Sequence, residues 1–385
     1  MTAPRLDVDL GKIENNARTL IGRLAKRGIS VTAVTKAALG SAAIGQALLR
    51  AGVSALGDSR IENIEAMRRE QIAAPMTLIR SPMLHQAERV VRSANVSFNT
   101  ELAAINRLSA VARQAGHQHQ IVLMVELGDL REGIMPHDLE NMVRAVLLLP
   151  NIILLGIGTN LACQNGVAPD ANNMAALSAL AESIEHTFGI HLGLVSGGNS
   201  ANLDWALSGA DTGRINNLRL GEAILLGCEP LQRRPIDGLH TDAITLVAEV
   251  IESTIKPTRP WGTIAQTAFG SMPTQAHPTT GSCDSSRSIL AIGRQDVDPS
   301  GLQPPPGIRI LGASSDHLIV QSDHGDLAVG HEIGFGLNYS ALVRAMTSPF
   351  VTKCMNKTAG PPVCGKTRPT AFALPSEPFN LDDDL

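Results

Sequence analysis

Short apolar runs alternate with amphipathic segments along most of the first 230 residues. The first run, at 29–37, precedes a segment whose apolar side chains recur at helical spacing from Ile44 to Ala51, and Gly52 closes it. Seven further runs, each followed by a helical pattern, lie at 53–57, 76–80, 95–99, 119–127, 151–158, 189–196 and 214–220. Eight such units predict an α/β fold, a closed (β/α)8 barrel over residues 10–230. A doubly wound sheet, the alternative, rarely reaches eight evenly spaced parallel strands.

The pattern changes after residue 230. Strand-like runs without intervening helices lie at 242–253, 287–298, 307–322 and 331–338, separated by turns rich in Gly, Pro and Ser. They predict a β-rich C-terminal domain over 231–352, to which the alternating residues 1–9 are expected to add a strand. Residues 353–385 are rich in proline, end in NLDDDL and have no apolar periodicity, so they are predicted to be a disordered tail.

Composition narrows the possible partners. The net charge is −4 and only ten residues are aromatic, so neither nucleic acid nor an anionic membrane surface is an expected partner. The chain has no apolar run of eighteen residues, and its first ten residues lack the apolar core of a signal peptide. Five cysteines without a CxxC pair indicate free thiols. These features favour a cytoplasmic metabolic enzyme.

The loops after the last two predicted barrel strands have the composition of an anion site. Residues 196–202 (SGGNSAN) and 218–223 (LRLGEA) place glycines before a helix, where backbone N–H groups can bind a phosphate. Ser200 can add a hydroxyl. Either loop alone could equally be an ordinary turn, but the pair at this position predicts a phosphorylated ligand.

Basic side chains accompany these loops at the predicted barrel mouth. Lys36 follows an apolar strand, a setting that favours the neutral amine of a Schiff-base lysine, although it could also extend to solvent. Arg131 follows the fifth strand, Asn160 the sixth, and Arg219 lies on the eighth. A reactive lysine, two arginines and a phosphate-binding loop suit pyridoxal 5′-phosphate.

Longer segments carry a resemblance to a known family. They are AVTKA at 33–37, LGDSRIEN at 56–63, VELGDLREGI at 125–134, GIGTNLAC at 156–163, SGGNSANL at 196–203, LRLGEAILLG at 218–227, AIGRQDVD at 291–298, LGASSDHLIV at 311–320 and RAMTSPFV at 344–351. Over residues 5–352 the chain resembles the pyridoxal-phosphate enzymes of the alanine racemase fold (fold type III), most closely their alanine/ornithine racemase-like branch. The resemblance implies a barrel, a β-domain and a head-to-tail homodimer in which one subunit's β-domain closes the other's active site.

The resemblance also implies an activity and roles for residues. The expected activity is racemisation of an amino acid, ornithine or another basic amino acid first, alanine or serine as the alternative. Lys36 is expected to hold the cofactor and act as a catalytic base, Arg219 to face the pyridine nitrogen, and Arg131 to lie near the phenolic oxygen. Asn160 stands where the family has a histidine beside the pyridine-facing arginine, which is Arg219 in this chain. The expected phosphate ligands are Asn199, Ser200 and the backbone around Gly221 and Glu222.

Some residues depart from the family's pattern. Arg294 stands where alanine racemases have the tyrosine that serves as the second base, and Tyr339, the only tyrosine, lies elsewhere in the sequence. Asp296, Asp298 and His317 are the candidate replacements, and Asp296 is favoured as the second catalytic residue. Met124 stands near the place of a lysine that is often carbamylated. Cys163 is expected to pack rather than to act as an acid or base.

No metal is expected. His317 resembles the zinc-binding histidine of related D-amino-acid dehydratases and aldolases, but Leu318 and Ile319 follow it where a second ligand should be. The distal amine of a basic substrate needs an acid, and Asp129, Glu132, Asp296 and Asp298 are candidates. Other functions considered are a non-catalytic pyridoxal-phosphate carrier, which the β-domain at 231–352 argues against, and a decarboxylase or dehydratase of the same fold.

Overall fold

The computed structural model describes residues 3–269 and 284–356, and the backbone of 363–365. The helices are α1 Leu10–Ala25, α2 Ala42–Ala51, α3 Ile61–Arg69, α4 Ala87–Ser93, α5 Leu102–Gln114, α6 Leu139–Leu147, α7 Ala171–Phe188, α8 Leu203–Leu207, α9 Glu222–Leu226 and α10 Tyr339–Thr347. The barrel strands are β2 Ser30–Val34, β3 Ala55–Asp58, β4 Met76–Leu78, β5 Val96–Asn99, β6 His119–Met124, β7 Ile152–Gly158, β8 Leu194–Ser196 and β9 Asn217–Leu220. The other strands are β1 Arg5–Asp9, β10 Ile244–Pro257, β11 Asp284–Leu290, β12 Leu302–Gln303, β13 Ile308–Ala313, β14 Leu318–Ser322, β15 Glu332–Leu337, β16 Thr352–Asn356 and β17 Val363–Gly365.

The predicted parallel barrel is confirmed. Strands β2 to β9 follow one another around a closed sheet, and β9 pairs with β2 so that Arg219 lies beside Thr32. Each barrel strand is followed by a helix, as the alternating pattern predicts. The strands are buried along nearly their whole length because helices cover the outside of the sheet and side chains fill the inside.

Two local features of the barrel differ from the sequence prediction. The first barrel strand ends at Val34 rather than at residue 37, and Lys36 begins a single 3-10 turn, Lys36–Ala38. The Thr35 N–H still donates to Gly57 O on the next strand at 2.8 Å, and the chain then turns as the Ala38 N–H donates back to Thr35 O at 2.8 Å. Helix α1, which precedes the barrel, was not predicted, although Asp9 caps its first turn by accepting from the backbone N–H groups of Gly11 and Lys12.

The β-rich C-terminal region is built around the long strand β10. That strand pairs antiparallel with β1, β11 and β15, so the N-terminal strand lies in the same sheet as residues from the end of the chain. The run at 287–298 does not remain a strand: β11 ends at Leu290 and a turn follows. The run at 307–322 divides into the hairpin β13–β14.

The predicted disordered tail begins too early. Residues 352–356 form strand β16, which pairs in parallel with β1 and buries Cys354. Only its central residue is buried, and its order follows from pairing with β1, which local periodicity cannot reveal. The backbone of 363–365 pairs with β16 in turn. The remaining tail residues, 357–362 and 366–385, lie outside the described part of the chain.

Helix α10 connects the β-rich region to the barrel mouth. Asn338 caps it by accepting a hydrogen bond from the Ala341 N–H at 3.0 Å, and the helix packs on the 3-10 turn that carries Lys36. Its first residue, Tyr339, is therefore brought close to the carboxyl ends of the barrel strands. Among the described helices, none has both the length and the apolar character that crossing a bilayer requires.

Candidate active site

A cleft of about 480 Å³ opens at the carboxyl ends of the barrel strands, a size within the usual range for small-molecule sites. Eight of the nine residues predicted to be catalytic or to bind the cofactor line it: Lys36, Arg131, Asn160, Asn199, Ser200, Arg219, Gly221 and Glu222. Asp296 is not among the described residues that line this cleft.

Arg219 lies at the floor of the cleft and is only 5% exposed. Its guanidinium donates to Ser196 Oγ and to the Thr159 carbonyl, both at 2.7 Å, and to Asn160 Oδ1 at 3.2 Å. It also lies over the ring of Phe98, 5.0 Å from the centroid. Burial lowers the pKa of Arg219 to about 10, so the side chain stays charged at neutral pH. The arrangement is a fixed cation that faces the cleft.

The loop after β8 is shaped by its asparagines. Asn199 Oδ1 accepts from the Ala201 N–H at 2.7 Å, and the Asn199 N–H donates to Asn202 Oδ1 at 3.0 Å. Gly198 has φ of +144°, and a Cβ there would lie 2.1 Å from Asn202 Oδ1, so this turn requires glycine. Ser200 Oγ accepts from the Ala223 N–H at 3.2 Å and joins this loop to the loop after β9.

Two acids organise the loop after β6. The Glu126 carboxylate accepts from the backbone N–H groups of Gly128, Leu130 and Arg131 at 2.6, 3.0 and 3.2 Å. Asp129 reaches the loop after β7 instead and accepts from three of its N–H groups, those of Cys163, Gln164 and Asn165, at 2.9–3.1 Å. Asp129 is fully buried, so it is not available to a substrate.

Acidic side chains of the described residues enter the cleft at two places. Glu132 lines one side, and its Oε1 accepts from Arg131 at 3.0 Å. Glu222 lies at the start of α9 and forms an ion pair with Arg233 at 2.5 Å. Burial raises the pKa of Glu222 against the opposing charges of Arg233 and Lys36.

Tyr339 also lines the cleft, and the sequence prediction missed it. Tyr339 received no role from the sequence because it does not align with the tyrosine that Arg294 replaces, whereas in the structure it reaches the barrel mouth because α10 packs there. Its position directly after Asn338, a good N-cap residue that follows a predicted strand, was the available signal. Burial, together with the negative charge of Glu222, raises the pKa of Tyr339, so the hydroxyl keeps its proton and can donate.

The sequence predicts Cys163 to be a packing residue, and the structure contradicts this. Cys163 is exposed in the cleft, and its Sγ accepts from Asn160 Nδ2 at 3.1 Å and from Asn199 Nδ2 at 3.4 Å. The thiol thus joins the loops after β7 and β8. The other cysteines whose side chains are described, Cys228 and Cys354, are also free.

The residues predicted to supply the second base lie apart from this cleft. Asp296 follows β11 and accepts from Ser348 Oγ at 2.6 Å. Asp298 accepts from Ser300 and Ser340. His317 Nδ1 lies 3.0 Å from Asp316. Within the described ranges no three His, Cys, Asp or Glu side chains cluster in a way that could hold a metal ion.

Comparison with known proteins places this fold and cleft in a class. The family model described as "Alanine racemase, N-terminal domain" matches residues 8–229, which is more than half of the chain and includes the whole barrel. The chain therefore belongs to the alanine racemase family.

Individual relatives are similar over nearly the full length. Lysine racemase of Thermotoga maritima is 35% identical over 92% of this chain and 98% of its own. Ornithine racemase of Acetoanaerobium sticklandii is 35% identical over 91% of this chain and 99% of its own. Among solved structures, alanine racemase of Streptomyces lavendulae superimposes with a TM-score of 0.69 at 20% identity, covering 92% of this chain and 97% of that one, and supports the fold.

Proposed function

We propose that this protein is a pyridoxal 5′-phosphate-dependent racemase that interconverts the L and D forms of basic amino acids. One observation carries the proposal. Lys36 shares a cleft with the buried Arg219, in a chain 35% identical to a lysine racemase and an ornithine racemase.

The donors around the cleft fit the proposed cofactor. Lys36 offers a primary amine that can bind an aldehyde, and Arg219 is a fixed donor for the ring nitrogen. Ser200 and Gly221 lie where the loops after β8 and β9 meet, the position expected for a phosphate. Tyr339 keeps its proton and can donate to the same anion. These groups fit an aldehyde with an anionic phosphate.

Racemisation requires the α-proton to leave on one face and return on the other. When bound, the cofactor withdraws electrons from the α-carbon and makes its proton acidic. We assign Lys36 Nζ the removal and return of that proton on one face. Because Arg219 does not readily give up its own proton, it limits electron withdrawal by the ring and favours return of the proton to the α-carbon over transfer elsewhere.

Glu132 is the acid that best suits a distal ammonium group. Of the four acids considered from the sequence, Asp129 is occupied by backbone N–H groups, and Asp298 is bound to serine hydroxyls away from the cleft. Asp296 also lies away from the cleft of its own chain, and we propose it as the second base. Glu132 lines the cleft, and one of its two oxygens binds Arg131. Its other oxygen is therefore the proposed acceptor for the side-chain amine of lysine or ornithine.

The second face needs a group from outside the cleft of one chain. We retain Asp296 as the proposed second base and place it in the cleft of a partner subunit, in the head-to-tail homodimer expected from the family. Apolar side chains exposed around the barrel mouth, among them Met83, Leu84 and Leu130, support a partner at this face.

The test follows both α-proton exchange and change of configuration. The purified enzyme with added cofactor is incubated in deuterated water with L-ornithine, L-lysine, L-alanine or L-serine, followed by chiral chromatography and mass spectrometry. We expect the basic amino acids to racemise fastest. Lys36→Ala should lose both exchange and conversion, whereas Asp296→Asn should lose conversion and retain exchange on one face. Asp323→Asn, an exposed site in the β-rich region, is the matched control.

Other results contradict particular parts of the proposal. Cofactor binding without any exchange would identify a carrier. Release of carbon dioxide or ammonia would identify a decarboxylase or a dehydratase. Unchanged preference for ornithine over alanine in Glu132→Gln would show that this carboxylate does not recognise the distal amine.

A further inference from the structure

The turn that carries Lys36 is fastened to a buried carboxylate on the neighbouring strand. Asp58 is the last residue of β3 and is 0% exposed, as is Thr35, which directly precedes Lys36. The Thr35 hydroxyl donates to Asp58 Oδ2 at 2.8 Å.

The other oxygen of Asp58 joins the start of helix α3 to the same point. Oδ1 accepts from the Arg60 N–H at 2.9 Å and from Asn63 Nδ2 at 3.0 Å. Asp58 therefore connects three segments: the Lys36 turn, the loop after β3 and the first turn of α3. All three meet next to Thr35, the residue that precedes Lys36.

A backbone contact fixes the far end of the same turn. Gly40 has φ of +64°, and a Cβ at this position would lie 2.8 Å from both the Cβ and the carbonyl oxygen of Asn63. The turn thus packs directly against the residue that binds Asp58. Each end of the turn is held against α3, the beginning through Thr35 and Asp58 and the end through Gly40 and Asn63.

Burial of the charged Asp58 carboxylate at this position is energetically unfavourable. Burial raises the pKa of Asp58, while its hydrogen-bond donors and the nearby charge of Lys36 act in the opposite direction. An apolar side chain would avoid this cost but could not accept a hydrogen bond from the Thr35 hydroxyl. We propose that Asp58 is a positioning residue that, through Thr35, holds Lys36 in the orientation needed to bind and react with an aldehyde cofactor. This inference rests on the proposed role of Lys36.

The neighbouring groups allow variants that either keep or remove this connection. In Asp58→Asn the amide oxygen can still accept from Arg60 and Asn63, and its NH₂ can donate to Thr35 Oγ. The Thr35 hydroxyl can then donate to the Gly57 carbonyl, which is already 3.3 Å away. Asp58→Ala and Thr35→Val remove the connection, whereas Thr35→Ser retains the hydroxyl.

The test compares two ligands that differ only in the group that reacts with lysine. Pyridoxal 5′-phosphate carries the aldehyde, and pyridoxine 5′-phosphate carries an alcohol in its place and cannot form a bond to Lys36. Dissociation constants for both are measured by titration of the apoenzyme. The ratio of the two constants reports on Lys36 itself, because damage to the rest of the cleft weakens both ligands equally.

We expect Asp58→Ala and Thr35→Val to weaken binding of the aldehyde about tenfold and to leave binding of the alcohol unchanged. Asp58→Asn and Thr35→Ser should keep the wild-type ratio. Ser109→Ala, which removes a buried hydrogen bond to the Pro150 carbonyl at the opposite end of the barrel, is the control for loss of stability alone and should also keep it.

The outcomes separate this inference from the proposed function. Wild-type protein that binds the aldehyde no more tightly than the alcohol would contradict the role of Lys36 and so the proposed function. A normal wild-type preference that persists in Asp58→Ala and Thr35→Val would overturn the positioning role alone. Loss of the preference in Asp58→Asn as well would also overturn it, because the effect would then follow the charge and not the connection.

Discussion

The location of Arg219 could be predicted from the sequence, but its hydrogen-bond partners could not. Its position on the last barrel strand was enough to predict that it lies in the cleft, because side chains at the carboxyl ends of barrel strands meet there. Its partners could not be predicted. Ser196 and Thr159 come from other strands, and their contacts depend on barrel register, which the sequence does not state. Tyr339 was missed for the same reason, since its place depends on how α10 packs.

Replacing Arg219 by lysine tests whether the planar guanidinium matters. A single ammonium group cannot keep the geometry of both the Ser196 and Thr159 hydrogen bonds, so a buried acceptor loses its partner. We expect a loss of about 1–3 kcal/mol in the free energy of unfolding and a fall in racemisation of at least about tenfold. Chemical denaturation and the chiral assay measure these effects. Arg18→Lys on the exposed face of α1 is the control, and equal behaviour of the two variants would argue against this interpretation.

At the scale of elements, periodicity located all eight barrel strands but not their ends. Strand interiors are indicated by apolar runs, whereas the end of β2 is set by turn contacts such as that of the Ala38 N–H with Thr35 O. The loops that carry the cleft residues were likewise predictable only in part. Their glycines and acids were visible in the sequence, but the attachment of the loop after β6 to the loop after β7 by Asp129 was not.

Asp129→Asn tests that attachment. Burial raises the pKa of Asp129, but the backbone N–H groups of the loop after β7 outweigh it and hold the pKa below its usual range. An amide has one acceptor oxygen in place of two, so at least one N–H of this loop loses its partner. We expect a loss of about 1–3 kcal/mol in stability and weaker activity, measured by denaturation and by the chiral assay. Asp211→Asn, in the exposed loop before β9, should retain both properties.

At the scale of the whole molecule, a buried histidine makes the stability of the barrel depend on pH. His119 begins β6, is 1% exposed, and its Nε2 lies 2.8 Å from Ser97 Oγ on the adjacent strand. Burial lowers the pKa of His119 to about 4. The neutral ring is therefore part of the folded barrel, whereas the unfolded chain takes up a proton near pH 6.5.

The sign of the pH effect follows from that difference. The contribution of neutral His119 to the free energy of unfolding is complete above about pH 6.5. It is lost progressively as the pH falls towards 4, on the order of 3 kcal/mol in all. In His119→Gln the free energy of unfolding should change less with pH over this interval than in the wild type. Denaturation curves at several pH values provide the measurement, with exposed His137→Gln as the control. Parallel curves for wild type and His119→Gln would contradict the assignment.

The pairing of β1 with β10 and β16 has a consequence for how the molecule is made. Residues 5–9 are synthesised before the barrel, yet one neighbouring strand follows more than two hundred residues later and the other lies at 352–356. A newly made barrel therefore carries this segment unpaired until β10 has been synthesised, and the other edge of β1 stays open until residues 352–356 follow. The sheet around β1 is completed only then, and deletion of residues 5–9 or of residues 352–356 would remove a strand from it.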